Sequence, residues 1–229
     1  MEKLYDSWIS PEQSFLKKKR ADISLFYGYA REAQNIFSLL SAKPCEIDVL
    51  DFGMGWGHWC LMAKAFGCNV YGFEISKDRI EFARKNGIEV IDNFSDIASH
   101  KFDFINAEQV FEHINNPLQT LKFLVGSLKN GGLIHISVPS GNNIERELAT
   151  PGWKITKNPI HPLEHINCFT HRTLIKLGES AGLELIRQPL WANCGYDLKS
   201  YIKGILGKCY KQYFGASLYF KKSAHRQKA

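Results

Sequence analysis

The sequence predicts an α/β fold: a doubly wound, mostly parallel seven-stranded sheet with helices on both faces and an N-terminal helical arm. Three observations predict it. Short apolar runs alternate with stretches of helical periodicity from residue 47 to residue 139, the rhythm of repeated β-α-β units. Glycine, asparagine and proline punctuate the joins. A turn of alternating glycines follows the first run, at the strand end where open parallel sheets bind ligands. The 229 residues suit one domain with a small appendage, and 45% hydrophobic with 23% charged residues is a globular composition.

The elements follow in order. Pro11 to Leu40 reads as helix, with Phe15, Ile23, Phe26, Ala30, Ala33, Ile36, Phe37 and Leu40 at helical spacing, closed by Pro44. Lys17 to Arg20 reads as a solvated patch on that arm. Strand is expected at Ile47–Phe52, helix at Trp59–Phe66, strand at Asn69–Phe73, and helix at Lys77–Lys85 stopped by Asn86-Gly87. Strands follow at Ile88–Ile91 and Phe102–Asn106. A helix is expected at Pro117–Leu128, closed by Asn130-Gly131-Gly132, then a strand at Leu133–Val138. Ser140–Asn167 reads as a long loop, the kind that covers a site. Helix resumes at Thr173–Ala181, strand at Leu183–Ile186, helix at Asp197–Phe214 and a last strand at Ser217–Phe220. The expected division is an arm over residues 1–44 and one domain over 45–229, with a covering loop at 140–170 and a basic C-terminal part at 197–229.

The formal charge of +6 comes from 29 basic and 23 acidic residues. Residues 198–229 hold eight bases and no acid, leaving 21 bases against 23 acids elsewhere, so the remainder is at −2. A nucleic-acid partner needs an electropositive face, and the charge distribution argues against one. The apolar residues of the last helix, Leu198, Tyr201, Ile202, Ile205, Leu206, Cys209, Tyr210, Tyr213 and Phe214, share one face. The expectation is that this stripe packs on the domain; a peripheral contact with an anionic membrane is the competing reading. No apolar run reaches the roughly 18 residues of a membrane-spanning helix. Met1 to Ser10 lacks an apolar core, so no secretion signal is expected. Six cysteines without a Cys-x-x-Cys pair read as buried free thiols of a reducing, cytoplasmic compartment, and no metal is expected.

The strongest local signal is Asp51-Phe52-Gly53-Met54-Gly55-Trp56-Gly57. Its glycines allow tight turning and close approach of backbone to a ligand. A dinucleotide fold wants Gly-x-Gly-x-x-Gly and a pyrophosphate over the next helix. Here the spacing is Gly-x-Gly-x-Gly, and a carboxylate two residues earlier would repel a pyrophosphate. Glu74 ends the next strand 17 residues after Gly57, where a carboxylate can accept both hydroxyls of a ribose. The two acids suit a nucleoside bearing an amino-acid tail better than a nucleotide.

These residues resemble class I S-adenosylmethionine-dependent methyltransferases of the broad small-molecule type, with a Rossmann-like sheet. Asp51-x-Gly53-x-Gly55-x-Gly57 resembles their first motif. Phe102 to Ile114, with its Glu-His-Ile, resembles the fourth-strand motif, and Asn130-Gly131-Gly132-Leu133 with Ser137-Val138-Pro139 the turn and strand after it. His165-Ile166-Asn167-Cys168-Phe169-Thr170 is similar to a further stretch in these enzymes. The resemblance implies S-adenosylmethionine as cofactor and S-adenosylhomocysteine as product. It implies that Asp51, Gly53, Gly55 and Gly57 hold the methionine part, Glu74 the ribose and Ile75 the adenine. Asn93 and Phe94 would meet the adenine ring, with either Asp92 or Asn93 making the polar contact. Glu108 and Gln109 would approach the methionine and the sulfonium.

The expected reaction is methyl transfer by in-line displacement to an O or N of a small-molecule, sugar or carrier-linked acceptor. Such a transfer gains from a general base, and His113, His161, Glu164 and His165 are the candidates on the ligand side. Trp56 and Trp59 are expected to pack, and Asp103 to be structural. Asn106-Ala107-Glu108-Gln109 departs from the Pro-Pro run of adenine-methylating enzymes, and no Pro-Cys suits pyrimidine C5 chemistry. The alternatives are a non-catalytic cofactor-binding relative and an NAD-dependent oxidoreductase.

Overall fold

Fourteen helices and strands make up the computed structural model over its described residues, which are 15–16, 20, 23–152, 159–161, 164–187 and 198–223. The seven strands form one sheet in the order β3-β2-β1-β4-β5-β7-β6, with β7 antiparallel to both its neighbours. By contacts the chain divides into two units, Met1–Phe102 and Asp103–Ala229.

In the first unit, α1 (Ile23–Leu40) is followed by β1 (Asp48–Phe52), α2 (His58–Ala65), β2 (Asn69–Phe73), α3 (Lys77–Lys85) and β3 (Glu89–Ile91). β1 and β2 pair in parallel with Asp51 opposite Gly72, and β2 pairs in parallel with β3. A strand buried on both faces needs an almost continuous apolar run. Val49, Leu50 and Phe52 supply it, with Leu50, Ile97 and Phe102 wholly buried around them. α1 lies against α2: Ala33 and Ile36 are buried, and the Trp59 indole N–H donates to Glu32 Oε2 at 3.1 Å. Trp59 thus packs. Trp56 sits among Phe15, Phe82 and the Arg79 guanidinium.

In the second unit come β4 (Phe102–Glu108), whose first residue belongs to the first unit, α4 (Pro117–Gly126), β5 (Leu128–Ser137), α5 (Ile144–Leu148), α6 (His171–Ser180), β6 (Leu183–Ile186), α7 (Leu198–Tyr213) and β7 (Ser217–Lys222). Most boundaries fall within two residues of expectation; the start of β5 does not, and α5 stands inside the stretch expected to be loop. α4 stops at Gly126, and β5 starts at Leu128 rather than Leu133, taking Asn130-Gly131-Gly132 into the strand. Leu128 is buried, and the Lys222 ammonium donates to its carbonyl at 2.7 Å. The strand runs through the glycine pair although Gly131 keeps the left-handed φ of 76° that a turn residue takes. Asp103 pairs with Lys129 at 2.7 Å, a structural contact.

α6 opens on a reciprocal cap. The Thr170 hydroxyl accepts from the Thr173 N–H at 3.1 Å, and the Thr173 hydroxyl accepts from the Thr170 N–H at 2.8 Å. Its Gly178 lies on Phe220 of β7. The buried His135 is satisfied by Asn106 Oδ1 and Ser217 Oγ, each at 2.9 Å. The α7 stripe packs less than expected: Ile202, Leu206, Tyr210, Tyr213 and Phe214 are exposed, while Ile205 and Cys209 are half-buried. Lys17–Lys19, Cys194, Asp197, Arg226 and Lys228 lie outside the described residues. Cys45, Cys60, Cys68, Cys168 and Cys209 are free thiols, with Cys45 and Cys168 exposed. Among the described residues no helix is long and apolar enough to cross a membrane.

A Cβ at Gly178 would lie 2.4 Å from the fully buried Phe220 ring. Overpacking of this kind costs about 1–3 kcal/mol, and a branched side chain adds to it. Gly178→Val is expected to lower unfolding stability by at least about 2 kcal/mol, read from the midpoint of a urea titration; an unchanged midpoint contradicts the packing described.

Candidate functional site

The glycine turn belongs to the first unit. Gly53, Gly55 and Gly57 have φ of 81°, 56° and 70°, a left-handed run that residues with a Cβ resist. The Gly53 and Met54 N–H groups both donate to the Phe73 carbonyl, at 2.8 and 3.1 Å, so the turn continues the β1–β2 pairing. A Cβ on Gly57 would lie 2.5 Å from Ile88 Cδ1, whereas one on Gly55 would meet nothing within 4 Å. Gly57 therefore serves packing, and Gly55 turns its backbone to open space.

Asp51 is buried at the start of this turn and accepts from the Cys60 thiol at 3.5 Å. Burial pushes the Cys60 thiol well up, and the Asp51 charge adds to it, so this thiol stays protonated and inert. Glu74 is 6% exposed. Its Oε1 accepts from the Ile75 and Ser76 N–H groups at 2.8 and 3.1 Å, its Oε2 from Gly55 N–H at 3.0 Å, and Arg79 Nη1 stands 3.6 Å from Oε2. One carboxylate thus ties the glycine turn to the end of β2. Beyond it Ile75 and Phe94 are large apolar side chains left partly exposed, and Phe94 leans on Phe52 and Phe73, each at 6.0 Å between ring centroids. Asp92 pairs with Arg84, and the Asn93 amide donates to Asp96 Oδ2 at 2.8 Å, so neighbours engage both polar candidates.

A second group of candidates lies in the second unit. Glu108 ends β4, and Gln109 follows with φ 56° and its N–H bonded to the Ser137 carbonyl at 2.7 Å. The chain then makes a short 3-10 turn through Phe111, Glu112 and His113. Asn167 clasps that turn. Its N–H donates to the Glu112 carbonyl at 3.0 Å, and its amide donates to the Phe111 and Ile114 carbonyls at 3.2 and 2.6 Å. Through this clasp the loop after β5 brings the His165 ring to 5.0 Å from that of His113, with His161 at 6.0 Å from His165. The three histidine candidates therefore form one cluster.

The cluster has directional hydrogen bonds. His113 Nδ1 bonds to the Glu164 carbonyl at 2.6 Å and His165 Nδ1 to the Pro159 carbonyl at 3.2 Å. Each places its proton on Nδ1, since a carbonyl only accepts. His161 Nδ1 lies 3.4 Å from Glu164 Oε2. Burial pulls the His113 imidazole below its ordinary value, which keeps it neutral at pH 7.

Sequence reasoning missed Glu112 and Asn167. Glu112 is 1% exposed, and among the described residues neither carboxylate oxygen has a hydrogen-bond partner. Burial pushes its carboxyl up to about 7, and the charge of Glu108 pushes with it. The signal for Glu112 was its place in the Glu-His-Ile motif; Asn167 stood in the His165–Thr170 stretch, but nothing local named its partners, which are more than 50 residues away.

Asn167→Leu keeps the volume and removes the amide, leaving the Ile114 carbonyl without this donor and the Phe111 carbonyl with the Ile114 N–H at 3.4 Å. A loss of about 1–3 kcal/mol is expected on urea unfolding; equal stability means the clasp is not formed. Glu74→Ala removes the acceptor of three backbone N–H groups and is expected to lose about 2–4 kcal/mol in the same measurement.

A family model described as a methyltransferase domain matches residues 24–188. The chain is 36% identical over 104 residues to the ribosomal protein L11 methyltransferase of Paraburkholderia phytofirmans, covering 42% of this chain and 33% of that protein. It is 30% identical over 100 residues to the ubiquinone biosynthesis O-methyltransferase of Rickettsia felis, covering 40% of this chain and 41% of that protein. The matches thus span less than half the length of these curated relatives. Among solved structures, the plantazolicin methyltransferase BamL in complex with SAH aligns with a TM-score of 0.62 at 15% identity, over 97% of this chain and 95% of that chain. That likeness is one of fold.

Proposed function

Because the chain belongs to the methyltransferase-domain family, we propose that it transfers a methyl group from S-adenosylmethionine to an oxygen or nitrogen of a small, sugar or carrier-linked acceptor. The observation that carries this reading is the left-handed glycine turn, open at Gly55 and tied to the buried Glu74. The residues fit the cofactor. Backbone at Gly53, Gly55 and Gly57, with Asp51 beside them, would hold the amino-acid end. Ile75 and Phe94 offer apolar surface to a purine, and Asp92 or Asn93 a polar contact at its edge. Glu108 and Gln109 would meet the methionyl part.

Glu74 already accepts three N–H bonds, and a carboxylate has about four lone-pair sites. The contact with Arg79, at 3.6 Å, is the loosest, so a ribose hydroxyl would take its place. The cofactor supplies an electrophilic methyl on a sulfonium. The chain's part is to align the two reactants, exclude water and take a proton from the acceptor. His161, with Glu164 facing its Nδ1, is the base in this reading and receives the proton on Nε2. His113 and His165 line the same place. Free thiols at the described cysteines fit a reducing compartment, so the reading includes a cytoplasmic location.

Calorimetry with S-adenosylhomocysteine and with NAD tests the cofactor. Binding of the first and none of the second is expected, with Gly55→Arg lowering affinity by at least about 100-fold because the side chain fills the open space. NAD binding, or unchanged affinity in Gly55→Arg, overturns the site. Turnover over a panel of hydroxylated and amino acceptors tests catalysis, with His161→Ala expected to lower kcat by about 10²–10⁴-fold. Tight cofactor binding with no turnover on any acceptor favours a non-catalytic relative.

A further inference from the structure

The buried Glu112 needs an explanation. A carboxylate with neither oxygen hydrogen-bonded among the described residues, at 1% exposure, is costly unless something positive meets it. What faces it is imidazole. His113 Nε2 stands 3.8 Å from Glu112 Oε1, too far for a hydrogen bond. One ligand atom each from Glu112, His113 and His165 lie within 4.8 Å of one another. Two ligands about 2.1 Å from one cation sit roughly 3.0–3.4 Å apart, so the Glu112–His113 pair needs to close by less than about 1 Å and the widest separation by up to about 1.4–1.8 Å to share an ion.

The orientation of the rings points the same way. Metal-binding histidines use one ring nitrogen for the ion and give the other N–H to a carbonyl or carboxylate, which fixes the tautomer. Both His113 and His165 give Nδ1 to backbone carbonyls, those of Glu164 and Pro159. Both therefore offer the lone pair of Nε2. The Asn167 clasp holds the two supporting segments together. Glu108 adds negative charge toward Glu112, and His161 with Glu164 stands at the edge.

We propose that Glu112, His113 and His165 form a binding site for a divalent transition-metal cation, through one carboxylate oxygen and two Nε2 atoms. Two imidazoles and one carboxylate suit Zn²⁺, Fe²⁺ or Co²⁺ and leave coordination positions open. An acceptor hydroxyl bound at an open position would lose its proton more readily, as a metal-bound water does. Binding of the cation stands on its own geometry; only that consequence rests on the methyl-transfer reading.

The test uses the full chain, freed of metal with a chelator, and Co²⁺ as the probe. Wild type is expected to take up one Co²⁺ per chain, with visible absorption from nitrogen and oxygen ligation. Glu112→Gln and His165→Ala are each expected to weaken Co²⁺ binding by more than about 100-fold, beyond the range of outer-shell losses. His100→Ala, a half-buried histidine of the other unit, is expected to bind as wild type does. Histidine ¹⁵N spectra of the wild type read the same site without substitution. Zn²⁺ is expected to shift Nε2 of His113 and His165 and to leave their Nδ1–H in place. No stoichiometric Co²⁺ uptake, uptake unaffected by both variants, or spectra unchanged by Zn²⁺ each overturns the proposal. S-adenosylhomocysteine binding, measured separately, is expected in the metal-free protein, so failure of either reading is seen without the other.

Discussion

The first unit depends on one carboxylate. Glu74 gathers the N–H groups of Gly55, Ile75 and Ser76 and stands near Arg79. Backbone donors at a left-handed turn have no strand or helix to satisfy them, and a buried orphan N–H is costly. Glu74 provides the acceptor and so makes the Gly53–Gly57 conformation affordable. The pairing of Gly53 and Met54 with the Phe73 carbonyl gives the turn a second anchor. Between these two ties the backbone at Gly55 is held open, while Gly57 is packed shut by Ile88. Neighbouring glycines of one motif thus have different physical reasons for lacking a Cβ.

The second unit solves the opposite problem. There, among the described residues, a carboxylate is buried without donors, and two imidazoles, His113 and His165, stand by it. Asn167 holds the loop after β5 there with three hydrogen bonds to the turn after β4, while the Ser140–Phe169 bridge and the Thr170 cap hold the loop's far side. A site that must hold side chains within fractions of an ångström needs such support, because loop residues alone lose too much entropy on ordering. The polar cost concentrated at Glu112 is the kind a fold retains where chemistry uses it.

Much of the fold was legible in local pattern. Apolar runs of five residues, the Asn86-Gly87 stop and the period of α3 are properties of a few consecutive residues, and their boundaries fall within a residue or two of expectation. The start of β5 was not legible: the Asn-Gly-Gly signal is honoured at Gly131, whose φ is 76°, yet the strand runs through it from Leu128. The exposed face of α7 was not legible either. Its stripe is wide enough to pack, yet among its described side chains Ile205 and Cys209 are the half-buried ones while Ile202, Leu206, Tyr210 and Tyr213 are exposed, and periodicity does not reveal which part of a wide stripe finds a partner.

The sequence by itself determined the alternation of elements, the glycine turn and its two acids, and the family they resemble, since all of these reside in residue type and short spacing. Tertiary structure alone decided which carboxylate is satisfied and which is not. Glu74 and Glu112 are the same residue type, each next to a β-strand end or turn. One meets backbone N–H groups, and the other, among the described residues, faces imidazole. The long-range share of that difference is Gly55, 19 residues before Glu74, and His165, brought toward Glu112 by the Asn167 clasp, and a hydrogen bond or an ion depends on where atoms end up in space rather than on their order in the chain.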